Sequence, residues 1–147
     1  MSEAPTRDAS VVVAIDDKNK VAILTADFPK HGGEFLFLPG GRREAGEDAA
    51  ACARRELKEE AGVTATSWAH LGNYAMTLAS TARIDLFLAS GLTLGLQELT
   101  DSEQDFKLDW WPLDAALAAA EKGRFLLPAG PLALLLAART TRLTSVV

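Results

Sequence analysis

Short β-branched runs and turn residues alternate through the first forty positions of the chain. Ser10 to Ile15 (SVVVAI) and Val21 to Thr25 (VAILT) read as strands, and Asp16 to Lys20 between them reads as a hairpin turn. Phe28 to Gly33 is loop chemistry, and Glu34 to Leu38 (EFLFL) is a third strand leading into Pro39-Gly40-Gly41. The pattern then changes. Asp48 is placed to cap a helix that runs to about Glu60, filled with good helix formers and stopped by Gly62. Ser67 to Met76 and Ala82 to Ala89 return to strand patterning. In the second, Ile84, Leu86 and Leu88 alternate with Asp85 and Phe87, so its end is apolar on both faces. Leu92 to Gln104 reads as a loop, acidic at its far end, and Phe106 to Trp111 as another strand. Pro112-Leu113-Asp114 opens an alanine-rich helix ended by Gly123. Pro131 opens a last helix whose Leu132, Leu134, Leu135 and Leu136 must pack against something. No repeat or low-complexity tract appears. Strands outnumber helices, and helices flank them. The expected fold class is α/β (α+β): a mixed sheet in an α/β/α sandwich, with the Asp48–Glu60 helix packed on it.

Bulk properties narrow this picture. With 147 residues, 48% of them apolar and 24% charged, the chain has the make-up of one ordinary globular domain. We expect that domain over residues 10–140, between a flexible 1–9 and a tail at 141–147. The net charge of -5 makes a nucleic-acid backbone an unsuitable partner. The start, MSEAPTRDAS, lacks the apolar core of a secretion signal. The most apolar run, Leu126 to Ala138, is broken by Pro128, Gly130 and Pro131, so no membrane association is expected. The single cysteine, Cys52, has no internal disulfide partner, reads as a buried structural thiol, and fits a reducing cytoplasm.

The candidate chemistry is concentrated in one stretch, Gly40 to Val63. Glu56, Glu59 and Glu60 sit at helical spacing and fall within an arc of about 100°. Carboxylates crowded on one helix face repel each other, and a cation among them relieves that repulsion. Carboxylate oxygens suit hard divalent ions, magnesium above all, with manganese as a substitute. Magnesium commonly completes its shell with water and substrate phosphates. Glu59 and Glu60 are the first choice as metal ligands, with Glu56 as ligand or base. A plain solvated acidic face is the competing reading, because Arg54, Arg55 and Lys58 lie nearby. Arg55 stands four residues before Glu59 and can hold it. Gly40 and Gly41 allow a sharp turn and a close approach of backbone to metal or phosphate. Glu47 is expected to begin the helix, where its dipole favours a carboxylate. His31 and His70 are isolated and read as surface or hydrogen-bonded residues. Trp68, Trp110 and Trp111 read mainly as core, with stacking on a base as the other role.

The run Gly41-x5-Glu47-x7-Arg55-Glu56-Leu57-x-Glu59-Glu60-x-Gly62-Val63 resembles the signature box of the Nudix hydrolases at all of its defined positions. Those enzymes cleave nucleoside diphosphates linked to another group. The resemblance implies a metal ligand in the carbonyl of Gly40, a place for Glu47 near the metal or as anchor of Arg55, and a place for Glu44 beside the substrate with Gly41. Outside the box, Phe87 to Leu92 (FLASGL), the acidic loop and Trp110 to Phe125 are similar to the ADP-ribose pyrophosphatase branch. That branch usually carries a proline about fifteen residues past the box, where this chain has Leu78 and Ala79. It often places a catalytic glutamate in the late acidic loop, which makes Glu103 the candidate and Glu98 the reserve. The implied activity is magnesium-dependent hydrolysis of ADP-ribose or a related nucleotide sugar. Hydrolysis of nucleoside triphosphates or dinucleoside polyphosphates is the alternative, and a non-catalytic nucleotide sensor is the alternative of another class. Similar enzymes are often dimers, so a homodimer using the last helix is expected by analogy.

Overall fold

A computed structural model describes residues 7–145, with side chains described through residue 141. Ten elements follow in order: β1 (Ala9–Ala14), β2 (Lys20–Phe28), β3 (Gly33–Phe37), β4 (Gly40–Arg42), α1 (Ala49–Ala61), β5 (Val63–Ala75), β6 (Arg83–Leu94), β7 (Lys107–Pro112), α2 (Leu113–Glu121) and α3 (Ala129–Ser145). Short 3-10 turns cover Pro29–His31 and Asp101–Glu103.

The strands form two sheets. One has the order β4-β1-β6-β5 and the other β3-β2-β7. The first is mixed: β1 runs parallel to β6 and antiparallel to β4, and β5 runs antiparallel to β6. The second is antiparallel throughout. Period-two alternation gives β1 two buried faces. Val12 and Ala14 join Ala53, Leu57, Ala61 and Phe87 beneath α1. Val13 and Ile15 join Leu86, Leu113, Ala116, Phe125, Ala133, Leu134 and Ala137 beneath α2 and α3. The result is the expected α/β/α sandwich, with α1 on one side and α2 and α3 on the other. Leu57 is fully buried, so its truncation to alanine would cost about 2–5 kcal/mol.

Several sequence expectations needed correction. The turn at Asp16–Lys20 forms, with Asp16 Oδ1 accepting from the backbone N–H of Lys18 and Lys20. However, β1 and β2 share only the Ile15–Val21 bridge and then diverge into different sheets, so they are not a hairpin. Both strands are buried on two faces, and each lies between two neighbours of its own sheet, β4 and β6 for β1, β3 and β7 for β2. β6 continues to Leu94, through residues read as loop, because β5 starts at Val63 and pairs with it along its whole length. α3 begins at Ala129, two residues before Pro131, and runs through Ser145, so 141–145 continue a helix instead of forming a tail. Of the N-terminal segment expected to be flexible, residues 1–6 lie outside the described residues. Asp8 is fixed by its carbonyl, which accepts from Arg43 N–H at 2.9 Å, and by its side chain, which accepts from Arg83 N–H at 2.9 Å. Among the described residues, no helix is long and apolar enough to cross a membrane.

Candidate active site

The turn after β3 and the first helix create the site. Asp48 caps α1, its side chain accepting from Ala51 N–H at 2.7 Å, a contact worth about 1 kcal/mol. Gly62 ends the helix in the left-handed conformation, φ 69°, and its N–H reaches the carbonyls of Leu57 and Lys58. Between these ends, α1 lays Cys52, Ala53, Glu56, Leu57 and Glu60 toward the protein. Two of those five are carboxylates, which are rarely buried without a partner.

Glu60 is 3% exposed and accepts a hydrogen bond from Gly40 N–H at 2.7 Å. Glu56 is 8% exposed and lies against Gly41, where an added Cβ would come within 2.6 Å of Glu56 Oε1. A Cβ on Gly40 would lie 2.5 Å from the Ser10 carbonyl. The two glycines therefore let the backbone lie flat between β1 and the two glutamates. Cys52, fully buried beneath, donates weakly to the Gly41 carbonyl at 3.4 Å, and burial pushes its thiol pKa up. It is a structural thiol.

Glu103, on the 3-10 turn before β7, completes the cluster. One oxygen from each of Glu56, Glu60 and Glu103 lies within 4.8 Å of the others. The turn is fixed by a capping box in which Thr100 N–H donates to Glu103 Oε1 at 3.1 Å. Burial pushes the Glu56 carboxyl up to about 7, against the pull of Arg55. It pushes Glu60 up to about 9, reinforced by the charges of Glu56 and Glu103 and opposed by the Gly40 N–H. Such a group of carboxylates is costly in the protein alone and is relieved by a cation. Its all-oxygen donor set suits a hard divalent ion that keeps several waters.

Arg55 organises the outer side. Its Nε and Nη2 donate to Glu47 at 2.7 and 3.0 Å, and its Nη1 donates to Glu56 at 2.9 Å and Glu59 at 3.2 Å. Nη2 also donates to the Arg42 carbonyl at 3.0 Å. The hydrogen bond to Glu47 is the main reason the guanidinium is held still more firmly protonated, and the same bond holds the Glu47 carboxyl low. Glu47 does not begin the helix. It precedes the Asp48 cap, because the chain must leave helical geometry there for Asp48 to reach Ala51 N–H, and its carboxylate turns onto Arg55. Glu59 also lies outside the three-glutamate cluster, on the Arg55 side. Glu44 is 3.6 Å from Arg55 Nη1 and largely exposed. Glu98 is exposed, and its backbone N–H bonds the Glu59 carbonyl at 2.7 Å, so Glu103 and not Glu98 enters the cluster.

The cluster opens into a cavity of about 360 Å³ whose lining includes Gly40, Gly41, Glu60, Glu103, Phe28, Phe37, Phe106 and Phe125. Sequence reasoning missed these rings and weighed the tryptophans. Trp68 packs with the core under α1 and beneath the Arg54 guanidinium, and Trp111 packs with the opposite core and beneath Arg124. Trp110 also packs against the core under α1. None of the three lines the cavity. The phenylalanines come together only because Leu24 of β2 pairs with Phe37 on one side and Leu108 on the other, a register no local pattern announces. Away from the site, His70 Nε2 lies 2.8 Å from buried Asp85, and His31 is exposed on its turn.

Comparison with known proteins shows the family and the fold. Residues 5–128 match the NUDIX domain, and the chain belongs to that family. It is similar to an ADP-ribose pyrophosphatase of Mycobacterium tuberculosis (strain ATCC 25618 / H37Rv), with 29% identity over 121 residues. That alignment covers 80% of this chain and 58% of the relative, so the chain spans somewhat more than half of the relative's length. Among solved structures, an ADP compounds hydrolase superposes with a TM-score of 0.82 at 23% identity, covering 97% of this chain and 77% of the other. A NUDIX hydrolase from Nitrosomonas europaea gives a TM-score of 0.71 at 19% identity, covering 92% and 90%. A MutT from a study of Aliivibrio salmonicida and Vibrio cholerae gives 0.65 at 22%, covering 90% and 97%.

Proposed function

We propose that this protein is a magnesium-dependent pyrophosphohydrolase acting on a nucleoside diphosphate joined to another group, with ADP-ribose or a related nucleotide sugar as its substrate class. The observation that carries this reading is the cluster of Glu56, Glu60 and Glu103, the first two buried and the third half-buried, beside a cavity of about 360 Å³. Glu56 and Glu60 would hold the ion, with the Gly40 carbonyl as the backbone ligand implied by the family box. A bound magnesium ion, or manganese in its place, neutralises phosphate charge and acidifies a water. Glu103 is the base that takes the proton as the water oxygen bonds to phosphorus and the anhydride P–O bond breaks. With ADP-ribose, the products are AMP and ribose 5-phosphate. Arg55 is a positioning residue: it fixes Glu47, Glu56 and Glu59 while they repel one another. Gly41 keeps the space that Glu56 occupies, and Glu44 reaches the same guanidinium from the rim.

The relative named for ADP-ribose supports this substrate class, as does the ADP compounds hydrolase among the structural neighbours. We propose further that the protein works in the cytoplasm, which its lone buried thiol supports, and that it assembles as a homodimer. α3 exposes Leu135 by 57%, which fits a contact there. Light scattering on the purified protein tests the dimer, and a monomer at micromolar concentration would refute it. The reaction is tested by product release from ADP-ribose, other nucleotide sugars, nucleoside triphosphates and dinucleoside polyphosphates, with magnesium, manganese or chelator. Metal-dependent release of AMP from ADP-ribose is expected. Triphosphate turnover alone would move the protein to the nucleotide-sanitising class, and no turnover of any compound would leave only a binding module.

A further inference from the structure

The cavity beside the carboxylate cluster has an unusual division of chemistry. Among the described lining residues, the only polar side chains are Glu60 and Glu103, both at the carboxylate end. Elsewhere the wall is aromatic and aliphatic, with Phe28, Phe37, Phe106, Phe125 and Met76 among the lining residues. Phe28, Phe37 and Phe106 form an edge-to-face chain, with ring centroids 5.6 and 4.8 Å apart. Three backbone donors along this wall are already engaged. Phe106 N–H bonds Glu103, Leu126 N–H bonds Leu36, and Gly40 N–H bonds Glu60. The rim is open, with Met76 44% and Leu127 61% exposed.

A sugar placed there would bury hydroxyls against a wall whose side chains, the two glutamates apart, offer no hydrogen-bond partner. A flat ring would offer its π-face to the phenyl groups and leave its polar edge at the open rim in water. On the basis of the proposed function, we infer that this cavity holds the nucleobase and grips it chiefly by stacking, so the protein requires a base and selects only weakly among bases. An apolar pocket separates related groups by only about 10–200-fold, whereas a site that hydrogen-bonds its ligand separates them by about 10⁴–10⁵-fold. Phe106, half-buried beside Glu103, is the ring best placed to contact the base.

The test compares ADP-, GDP-, CDP- and UDP-linked sugars with 5-phosphoribosyl diphosphate, which carries the diphosphate without a base. The four bases should differ in kcat/KM by less than about 200-fold, and the baseless compound should be at least about 5-fold poorer than the weakest of them. Phe106→Ala should raise KM by about 5–150-fold for all four bases alike. Phe106→Leu, which keeps apolar volume without a ring, should have a smaller effect in the same direction. Phe28→Ala replaces Phe106→Ala if the latter does not fold. A wider spread among the bases, equal turnover of the baseless compound, or unchanged KM in the phenylalanine variants would overturn the inference. Calorimetric binding of AMP, GMP, CMP and UMP in chelator reads the cavity without turnover. If nothing is hydrolysed, the proposed reaction fails, and these four dissociation constants still decide the inference by the same limit: a spread under about 200-fold upholds it, and a wider spread or no binding overturns it.

Discussion

The two halves of the site differ in how they meet water. At the cluster, Glu56 and Glu60 are almost wholly withdrawn from solvent although each carries an ionisable group. In the cavity, Phe28, Phe37 and Phe106 keep part of their apolar rings within reach of solvent. Each half is unfavourable alone, for opposite reasons: buried charge needs a cation, and partly exposed rings need a flat apolar partner. The halves adjoin at Gly40, Gly41, Glu60 and Glu103, which line the cavity themselves. A molecule with a diphosphate at one end, joined to the cluster by a divalent cation, and a ring system at the other satisfies both. The contrast suggests that the cluster sets the reaction and the cavity sets what may undergo it, so substitutions in the two halves should act on different kinetic constants.

The sharpest way to break that division is Glu60→Gln. It removes the charge of a proposed ligand while keeping shape, and kcat should fall by about 10³-fold or more with the circular dichroism spectrum unchanged. Loss of activity through KM alone would contradict the division. Glu103→Gln should follow, lowering kcat by about 10²-fold. Wild-type kcat would remove Glu103 from the chemistry.

A smaller effect belongs to stability. In the unfolded chain, Glu56 and Glu60 titrate near the ordinary 4.5, whereas folding raises them to about 7 and about 9. The folded state therefore binds more protons than the unfolded state in this window. The favourable contribution is complete below about pH 4.5 and is lost as pH rises through 7 toward 9. These groups should thus make the metal-free Tm fall from pH 5 to pH 9, and magnesium should raise Tm more at pH 8 than at pH 5. A metal-free Tm that rises across this range would show that these carboxylates are not the dominant titrating groups. The least effect is expected at Glu98, whose side chain is exposed while its backbone holds the Glu59 carbonyl. Glu98→Gln should leave kcat/KM within about twofold, because solvent screens an exposed charge. A large loss would return it to the site.

The same two halves explain what could be read before the fold was known. The Gly40–Val63 stretch is contiguous, and helical periodicity alone brings Glu56, Glu59 and Glu60 to one side. Burial then separates them: Glu56 and Glu60 face inward, and Glu59 is drawn outward to Arg55. Periodicity gives an arc, but not which edge of it meets the sheet. Asp48 and Gly62 were legible as helix ends because their side-chain and backbone preferences act locally. Glu47 was misread because a cap one residue later was enough to turn it away from the helix. The phenylalanine cavity was not legible, since it depends on β2 pairing with both β3 and β7 across some eighty residues. For the same reason β1 and β2, adjacent in sequence and alike in composition, gave no sign that they would enter different sheets.

The most direct test of the central claim, that Glu56 and Glu60 bind the catalytic cation, is manganese binding followed by electron paramagnetic resonance. The wild-type protein should bind manganese, magnesium should compete for the same site, and Glu60→Gln and Glu56→Gln should each weaken binding by about tenfold or more. Manganese affinity unchanged in both variants would contradict the account.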